Sequence, residues 1–296
     1  MRVALVSYRS KPHCGGQGVY VRHLSRELVR LGHEVEVFSG QPYPELDPGV
    51  GLTKVPSLDL YREPDPFRTP RLSEIRDLVD VEEVLTMWTA GFPEPRTFSK
   101  RVLRVLRDRG ADFDVVHDNQ VLGSALLDLE EQVGLPLVST IHHPISIDRR
   151  IDLASARTRR KRLTVRRWYG FVRMQARVAR RMRMVLVPSE SSRRDVVREF
   201  GVDPARVRVV LLGVEESFVP PTEPRVPGRI IAMASADASV MARLSELVAR
   251  GEVKPAVDSV LTLDETPAAI DQFTSGKRGK IVITLAEESR ALRPSH

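Results

Sequence analysis

The sequence has one cysteine, Cys14, in 296 residues. That excludes an intramolecular disulfide and any zinc site built from several cysteines. It also has no long uncharged apolar run, and with 29% charged residues a membrane-spanning helix is excluded. Met1–Tyr8 is a short apolar stretch with one arginine and no small-residue cleavage site. It reads as a first strand, not a signal peptide, so cytoplasm is the expected compartment. Aromatic residues reach only 5%. Acidic residues are nearly missing from one segment: Arg149–Arg183 holds 13 Arg and one Lys (Lys161) against a single acid, Asp152. The formal net charge of +7 is therefore a property of one segment. A nucleic-acid binder would spread its charge, and this segment interleaves only Trp168, Tyr169 and Phe171 as stacking groups. No nucleic-acid partner is expected.

What is present is a chain that is 42% hydrophobic, enough for a sizeable core, and long enough that two domains are favoured over one. Arg2–Tyr8 is β-branched and apolar. After a polar loop, Val19, Tyr20, His23, Leu24, Leu28 and Leu31 recur at helical spacing, and Gly32 closes the helix. His33–Phe38 alternates as a second strand. Further strands are expected at Gly51–Val55, Asp114–His117, Leu135–Ile141, Met184–Val187 and Val207–Leu212, with helices at Phe98–Arg109, Leu122–Val133 and Ser191–Phe200. This alternation predicts an α/β fold, a Rossmann-like doubly wound parallel sheet. Gln41–Pro70 reads as a long surface excursion, and Phe218–Pro227, with four prolines in ten residues, reads as a semi-rigid linker. The expected division is residues 1–217, a linker with one strand over 218–239, and a different kind of sequence over 240–296.

Three groups of residues carry chemistry. Gly15, Gly16 and Gly18 lie between a strand and a helix, where glycines let main-chain N–H groups approach a phosphate. A tight turn without a ligand explains them equally well. The dinucleotide fingerprint needs a further glycine at position 21, which is valine, so a nicotinamide cofactor is unsupported. His142 and His143 follow an expected strand, as do His117, Asp118 and Asn119. Ligand crevices of α/β sheets open at such strand ends. Histidines there can meet a sugar hydroxyl, and Asp and Asn suit paired hydroxyls, though an Asx turn capping the chain at Leu122 is the competing reading. In the basic segment, Val165, Trp168, Val172, Ala176 and Ala179 mark one apolar helical face. Arg159, Arg160, Arg166 and Arg167 could then grip an anionic acceptor or an anionic membrane surface, or form a solvated surface over a buried stripe.

Gly15–Phe38 (GGQGVYVRHLSRELVRLGHEVEVF) resembles the opening of family-4 retaining glycosyltransferases of GT-B fold. Phe113–Gly123, Leu137–Pro144 and Val185–Val214 resemble later parts of that family in the same order, so the likeness covers about residues 1–236. The resemblance implies the N-terminal, acceptor-side half of a transferase that uses a nucleotide-sugar and a sugar or lipid-linked acceptor, with no metal and no other cofactor. It implies that the glycine loop faces the donor diphosphate and that His142, in Thr140-Ile141-His142, lies beside the transferred sugar. His117–Asn119 and His143 would shape the acceptor crevice. The family also needs a second Rossmann-like domain with a Glu-x7-Glu pair for the donor. About 60 residues follow the linker strand, too few for one, and the Glu74/Glu82 and Glu215/Glu223 pairs lie outside any such domain. An incomplete transferase is therefore expected, with a non-catalytic acceptor-binding module as the alternative. Val240–Leu285 instead resembles the C-terminal end of medium-chain dehydrogenases of the quinone-reductase type, joined near Ser235–Met241. That piece of the dehydrogenase family carries neither nicotinamide fingerprint nor zinc ligands; an NADPH-dependent oxidoreductase fragment is the third reading. A position on the inner face of the membrane is the further expectation for the basic segment.

Overall fold

The first strand, β1 (Arg2–Ser7), shows why this chain makes a sheet covered on both sides. Val3 and Leu5 pack with Val21 and with Val35 and Val37, while Ala4 and Val6 enter a second cluster with Phe98, Val102 and Leu106. A strand that is apolar on both faces is stable only at the centre of such a sheet. The computed structural model describes residues 1–12, 16–213, 246–252, 257–275 and 280–284. The chain divides into two units, Met1–Val214 and Glu215–His296.

In the first unit, α1 (Gly16–Arg30), β2 (Glu34–Ser39), β3 (Val50–Lys54), α2 (Leu78–Trp88), α3 (Glu94–Arg109), β4 (Val115–Asn119) and β5 (Leu137–Thr140) follow β1. Then come α4 (Ser146–Ser155), α5 (Arg159–Trp168), α6 (Val172–Arg181), β6 (Met184–Val187), α7 (Glu190–Phe200) and β7 (Val207–Val209). The seven strands are ordered β3-β2-β1-β4-β5-β6-β7 and every pair is parallel. The fold is the expected doubly wound α/β sheet. Gly32 closes α1 at φ +83°, with its N–H donating to Val29 O at 2.9 Å and that of His33 to Leu28 O at 3.0 Å.

Several expectations are corrected. Leu122–Val133 is no α-helix: it makes a 3-10 turn at Ser124–Leu126 and a π-type turn at Leu129–Val133, ending at Gly134 in the left-handed region. Its apolar spacing is that of a loop buried on the sheet by Val121, Leu122, Ala125, Leu126 and Leu129. Gln41–Pro70 is not a surface excursion throughout. Leu58, Leu60 and Tyr61 bury against Val84 and Met87 of α2, with Phe92 and Trp168 at the margin. β7 stops at Val209, and Val210, Leu211 and Leu212 are exposed. The helices α2 and α4 were not expected.

The second unit contains a helical stretch at residues 246–249, β8 (Val257–Thr262), α8 (Thr266–Ser275) and β9 (Lys280–Thr284). The two strands pair in parallel, and Glu265 caps the turn before α8 by accepting from Thr262 N at 2.8 Å. The proline-rich linker, the strand expected within 218–239 and the junction near Ser235–Met241 lie outside the described residues.

Candidate functional site

The winding of the sheet reverses between β1 and β4. Chain leaving β1 turns into α1 on one face, and chain leaving β4 turns to the opposite face, where Val121 and Leu122 join the α3 cluster. The two connections diverge, so a crevice opens at the carboxyl ends of these strands. Side chains alternate along β4, so His117 and Asn119 share the α1 side with Val115, while Val116 and Asp118 point to the other.

On the α1 side a chain of hydrogen bonds crosses three strands. Ser10 Oγ donates to Ser7 Oγ at 3.0 Å, and Ser7 Oγ donates to Arg9 O at 3.2 Å. Ser7 Oγ, its proton so used, accepts from Asn119 Nδ2 at 3.3 Å. This orients the Asn119 amide and turns its Oδ1 toward His142 Nε2, 2.9 Å away. Nε2 therefore carries the imidazole proton, and Nδ1 is left as a lone pair with no partner among the described residues. Burial holds His142 neutral, with its pKa lowered to about 4, and the neighbouring His143 adds to the shift. Tyr20 of α1 meets the His142 ring edge-on, with centroids 4.7 Å apart. His117 is buried, sits 2.7 Å from Thr140 Oγ1 through Nε2, and is lowered to about 4 by burial and then by His142.

The main chain around His142 is held as firmly as its ring. Gln120 accepts the His142 N–H at 2.7 Å through Oε1 and donates to His143 O at 2.7 Å through Nε2. Gln175 of α6, itself buried, donates to Gln120 O at 3.4 Å and Val121 O at 3.2 Å. Ser192 Oγ, in the first turn of α7, donates to His142 O at 3.0 Å. Ser189 caps that helix by accepting from Ser192 N at 3.1 Å. Gln120, Gln175, Tyr20 and Ser7 carry no sequence signal of their own. Only the strand-end rule pointed to their neighbourhood.

Of the residues expected here, His117, Asn119 and His142 come together. Asp118 does not join them. It lies on the opposite face with zero exposure, its carboxylate accepting from Val121 N at 2.9 Å, Leu122 N at 3.1 Å and Ser139 Oγ at 2.8 Å. Burial raises it to about 6 against those bonds. Of the two readings of Asp118, the geometry is that of the backbone turn. The His143 side chain is exposed and turns to Asp148 Oδ2, 3.1 Å away, so only its carbonyl serves the site.

Gly18 and Gly16 part company. A Cβ on Gly18 would lie 2.1 Å from Lys11 O, so Gly18 lets α1 pack on the Ser10–Lys11 main chain. A Cβ on Gly16 would meet nothing within 4 Å, and the first turn of α1 holds no acid. Gly15 lies outside the described residues. Beyond the end of β1 a cleft of about 450 Å³ is walled by Arg9, Lys11, Pro42, Asp59, Tyr61 and Arg62 among others. Behind it, Arg9 Nη1 donates to the buried Glu94 at 3.2 Å and 3.3 Å. Burial raises Glu94 to about 8, opposed by Arg9.

The basic segment is not one amphipathic helix. It is the end of α4, then α5, a 3-10 turn at Tyr169–Phe171 and α6. Its apolar stripe faces inward: Val165, Val172 and Ala179 are buried, and Trp168 packs against the Leu58–Tyr61 cluster. Arg159, Arg160 and Arg166 are exposed. Arg167 donates to Thr89 O at 3.1 Å and Thr89 Oγ1 at 2.7 Å, fastening α5 to the end of α2.

Comparison with known proteins bears on the same stretch. The chain is 60% identical over 270 residues to an MMP alpha-(1->4)-mannosyltransferase of Mycolicibacterium hassiacum, covering 90% of this chain and 65% of that protein. It is 30% identical over 239 residues to a D-inositol 3-phosphate glycosyltransferase of Xylanimonas cellulosilytica, covering 74% of this chain and 49% of that one. The chain thus spans between half and two thirds of the length of these relatives. Among solved structures, sucrose-phosphate synthase from Thermosynechococcus elongatus aligns with a TM-score of 0.47 and 15% identity, over 95% of this chain and 61% of that one. A profile of zinc-binding dehydrogenases matches residues 200–283. The profile named Glycosyltransferase Family 4 matches residues 14–218, well over half of the chain, including β4, β5 and the residues around His142. The chain belongs to glycosyltransferase family 4.

Proposed function

We propose that this chain takes part in retaining transfer of a hexosyl group from a nucleotide-sugar to a sugar or lipid-linked acceptor, with the crevice between β1, β4 and β5 as the transfer site. The observation that carries the reading is His142: a neutral imidazole whose Nε2–H is spent on Asn119 and whose Nδ1 has no partner among the described residues. In that state Nδ1 accepts a hydrogen bond from a hydroxyl of the donor sugar and holds it while the bond to the leaving diphosphate breaks. A charged imidazolium could not accept that bond. Asn119, Gln120 and Gln175 are positioning residues, fixing the ring, the main chain beside it and the loop behind it. Main-chain N–H groups at the start of α1, from Gly16 onward, would meet the diphosphate, which supports a donor site that needs no metal and no further cofactor. The cleft at Arg9, Lys11 and Tyr61 offers polar walls for an acceptor. The two relatives, a mannosyltransferase and an inositol-phosphate glycosyltransferase, support sugar transfer and leave the individual sugar to experiment.

The test is transfer and hydrolysis with a panel of nucleotide-sugars. Turnover that falls about 10²- to 10³-fold in His142→Ala, the scale of losing one well-placed hydrogen-bonding group, is the expected outcome. Calorimetric binding of an acceptor with no binding or turnover of any nucleotide-sugar would favour the non-catalytic module instead. We further propose that the second unit descends from a dehydrogenase C-terminal piece without redox activity. The dehydrogenase profile and the parallel β8-α8-β9 unit support this. NADPH fluorescence is expected to stay unchanged on titration with the protein.

A further inference from the structure

The helix α2 buries charge and leaves apolar side chains outside. Its inward side holds two acids among Val79, Val84 and Met87: Asp80 and Glu83 are 1% and 0% exposed, and both accept from Arg101 Nη2 of α3, Asp80 at 2.7 Å. Its outward side is apolar: Leu78 is 84% exposed, Leu85 53% and Trp88 61%, with Val81 between them. Positions 78, 81, 85 and 88 are spaced by three and four, so they form one stripe along the helix. The buried ion pairs to Arg101 fix which side faces out, since turning the helix would break them and leave charges unpaired in the core. Monomeric soluble proteins rarely leave such a contiguous stripe in water.

Beside the stripe stands a run of exposed arginines on α5. Arg167 lines a groove with Leu78, Val81 and Leu85, and its guanidinium is tied to Thr89 just past the end of α2. It also lines a second depression with Arg149, Leu163, Arg166 and Arg173. Among the described residues no carboxylate lies within ion-pair distance of Arg159, Arg160, Lys161 or Arg166. Leu163, on the same helix, is 68% exposed. By contrast, the acids of α2 that reach the surface are already taken: Asp77 by Arg104, and Glu82 by Lys100 and Arg96.

We infer that the α2 stripe and the arginines of α5 together form a docking face for an anionic lipid bilayer, with Leu78, Val81, Leu85 and Trp88 entering the interfacial layer and Arg159, Arg160 and Arg166 meeting lipid phosphates. Charge decides the occupant. A second copy seated on α2 would bring a like-charged α5 toward its twin, whereas an anionic surface complements both halves of the face. Exposed leucine and tryptophan flanked by arginine is the composition that lies in a headgroup region. The stripe on α2 is separate from the transfer crevice, so the inference stands without the transferase reading.

The experiment is cosedimentation of the whole chain with vesicles of phosphatidylglycerol in phosphatidylcholine and with vesicles of phosphatidylcholine alone, at roughly 0.05 M and 0.5 M salt. Binding to the anionic vesicles alone, weaker at high salt, is expected, together with a blue shift of tryptophan emission that Trp88→Phe removes. Leu78→Ser with Leu85→Ser, and separately Arg159→Gln, Arg160→Gln and Arg166→Gln together, are each expected to weaken binding about 10-fold or more. His142→Ala is expected to bind like the parent, which keeps this result apart from the fate of the transfer site. Circular dichroism and melting temperature check that the variants are folded; these positions are on the surface, so both are expected to be unchanged. No binding to anionic vesicles at low salt, equal binding to phosphatidylcholine alone, or equal binding by the folded variants would overturn the proposal. So would a dimer in sedimentation velocity that Leu78→Ser/Leu85→Ser dissociates, since a second copy would then cover the stripe.

Discussion

The carboxyl end of β4 and the outer side of α5 are both crowded with polar residues, and they treat them in opposite ways. At β4 the buried polar side chains are held in place: Asn119 lies between Ser7 and His142, and Asp118 accepts from two N–H groups and Ser139. Along α5, Arg159, Arg160 and Arg166 stand exposed, with no carboxylate among the described residues within ion-pair distance. Burial explains the contrast. An unpaired polar group in the interior costs about 1–3 kcal/mol, so the interior fixes identity and geometry. At the surface the same groups are worth little individually, and their number matters more than their positions.

The largest expected difference between the two regions is in activity. His142→Ala is expected to lower transfer about 10²- to 10³-fold, while the triple Arg159/Arg160/Arg166→Gln variant is expected to leave turnover of a soluble acceptor unchanged; parallel steady-state kinetics on both variants checks this. Next comes pH. His142 has a folded pKa of about 4, below its unfolded value near 6.5. Its stabilising contribution is therefore fully present above pH 6.5 and lost as pH falls toward 4. The stability difference between the parent and His142→Gln is expected to shrink by about 3 kcal/mol from pH 7 to pH 4. Urea unfolding of the two proteins at each pH measures it, and their difference cancels the opposing terms of Asp118 and Glu94. Nitrogen-15 NMR of the imidazoles sharpens the same point: His142 is expected to remain neutral and protonated at Nε2 down to about pH 4–5.

A smaller effect is expected where backbone approaches backbone. Gly18→Ala places a methyl against Lys11 O and is expected to destabilise by about 1–3 kcal/mol. Gly16→Ala, with open space around it, is expected to cost little, or to stabilise slightly, in the same thermal melts. The smallest effect belongs to the basic surface. Arg159→Gln, Arg160→Gln and Arg166→Gln are expected to change stability by no more than about 0.5 kcal/mol each. A larger loss there would break the contrast between the two regions.

Much of the fold was legible because parallel strands and their helices write periodic patterns. Val3 to Val6 are apolar without alternation, as a strand covered on both faces must be, and all seven strands of the sheet were found. The misses share one cause. Leu122–Val133 has helical spacing yet is a buried loop, because Asp118 captures the N–H groups of Val121 and Leu122 at its start. In α2, helical spacing was present but masked, because its buried side carries Asp80 and Glu83 and its exposed side carries leucine.

The sequence by itself determined the doubly wound sheet and the histidine at the end of β5, since each depends on local pattern and near neighbours in the chain. Only the tertiary structure decided which of the polar residues at those strand ends share a face. His117 and Asn119 are separated from Asp118 by the pleat of one strand, and the proton on His142 is placed by Ser7, 135 positions away in the chain. Which side of α2 meets water was likewise settled by Arg101, from another helix. Hydrogen bonds and buried ion pairs join residues by distance in space, and no periodicity along the chain encodes that distance.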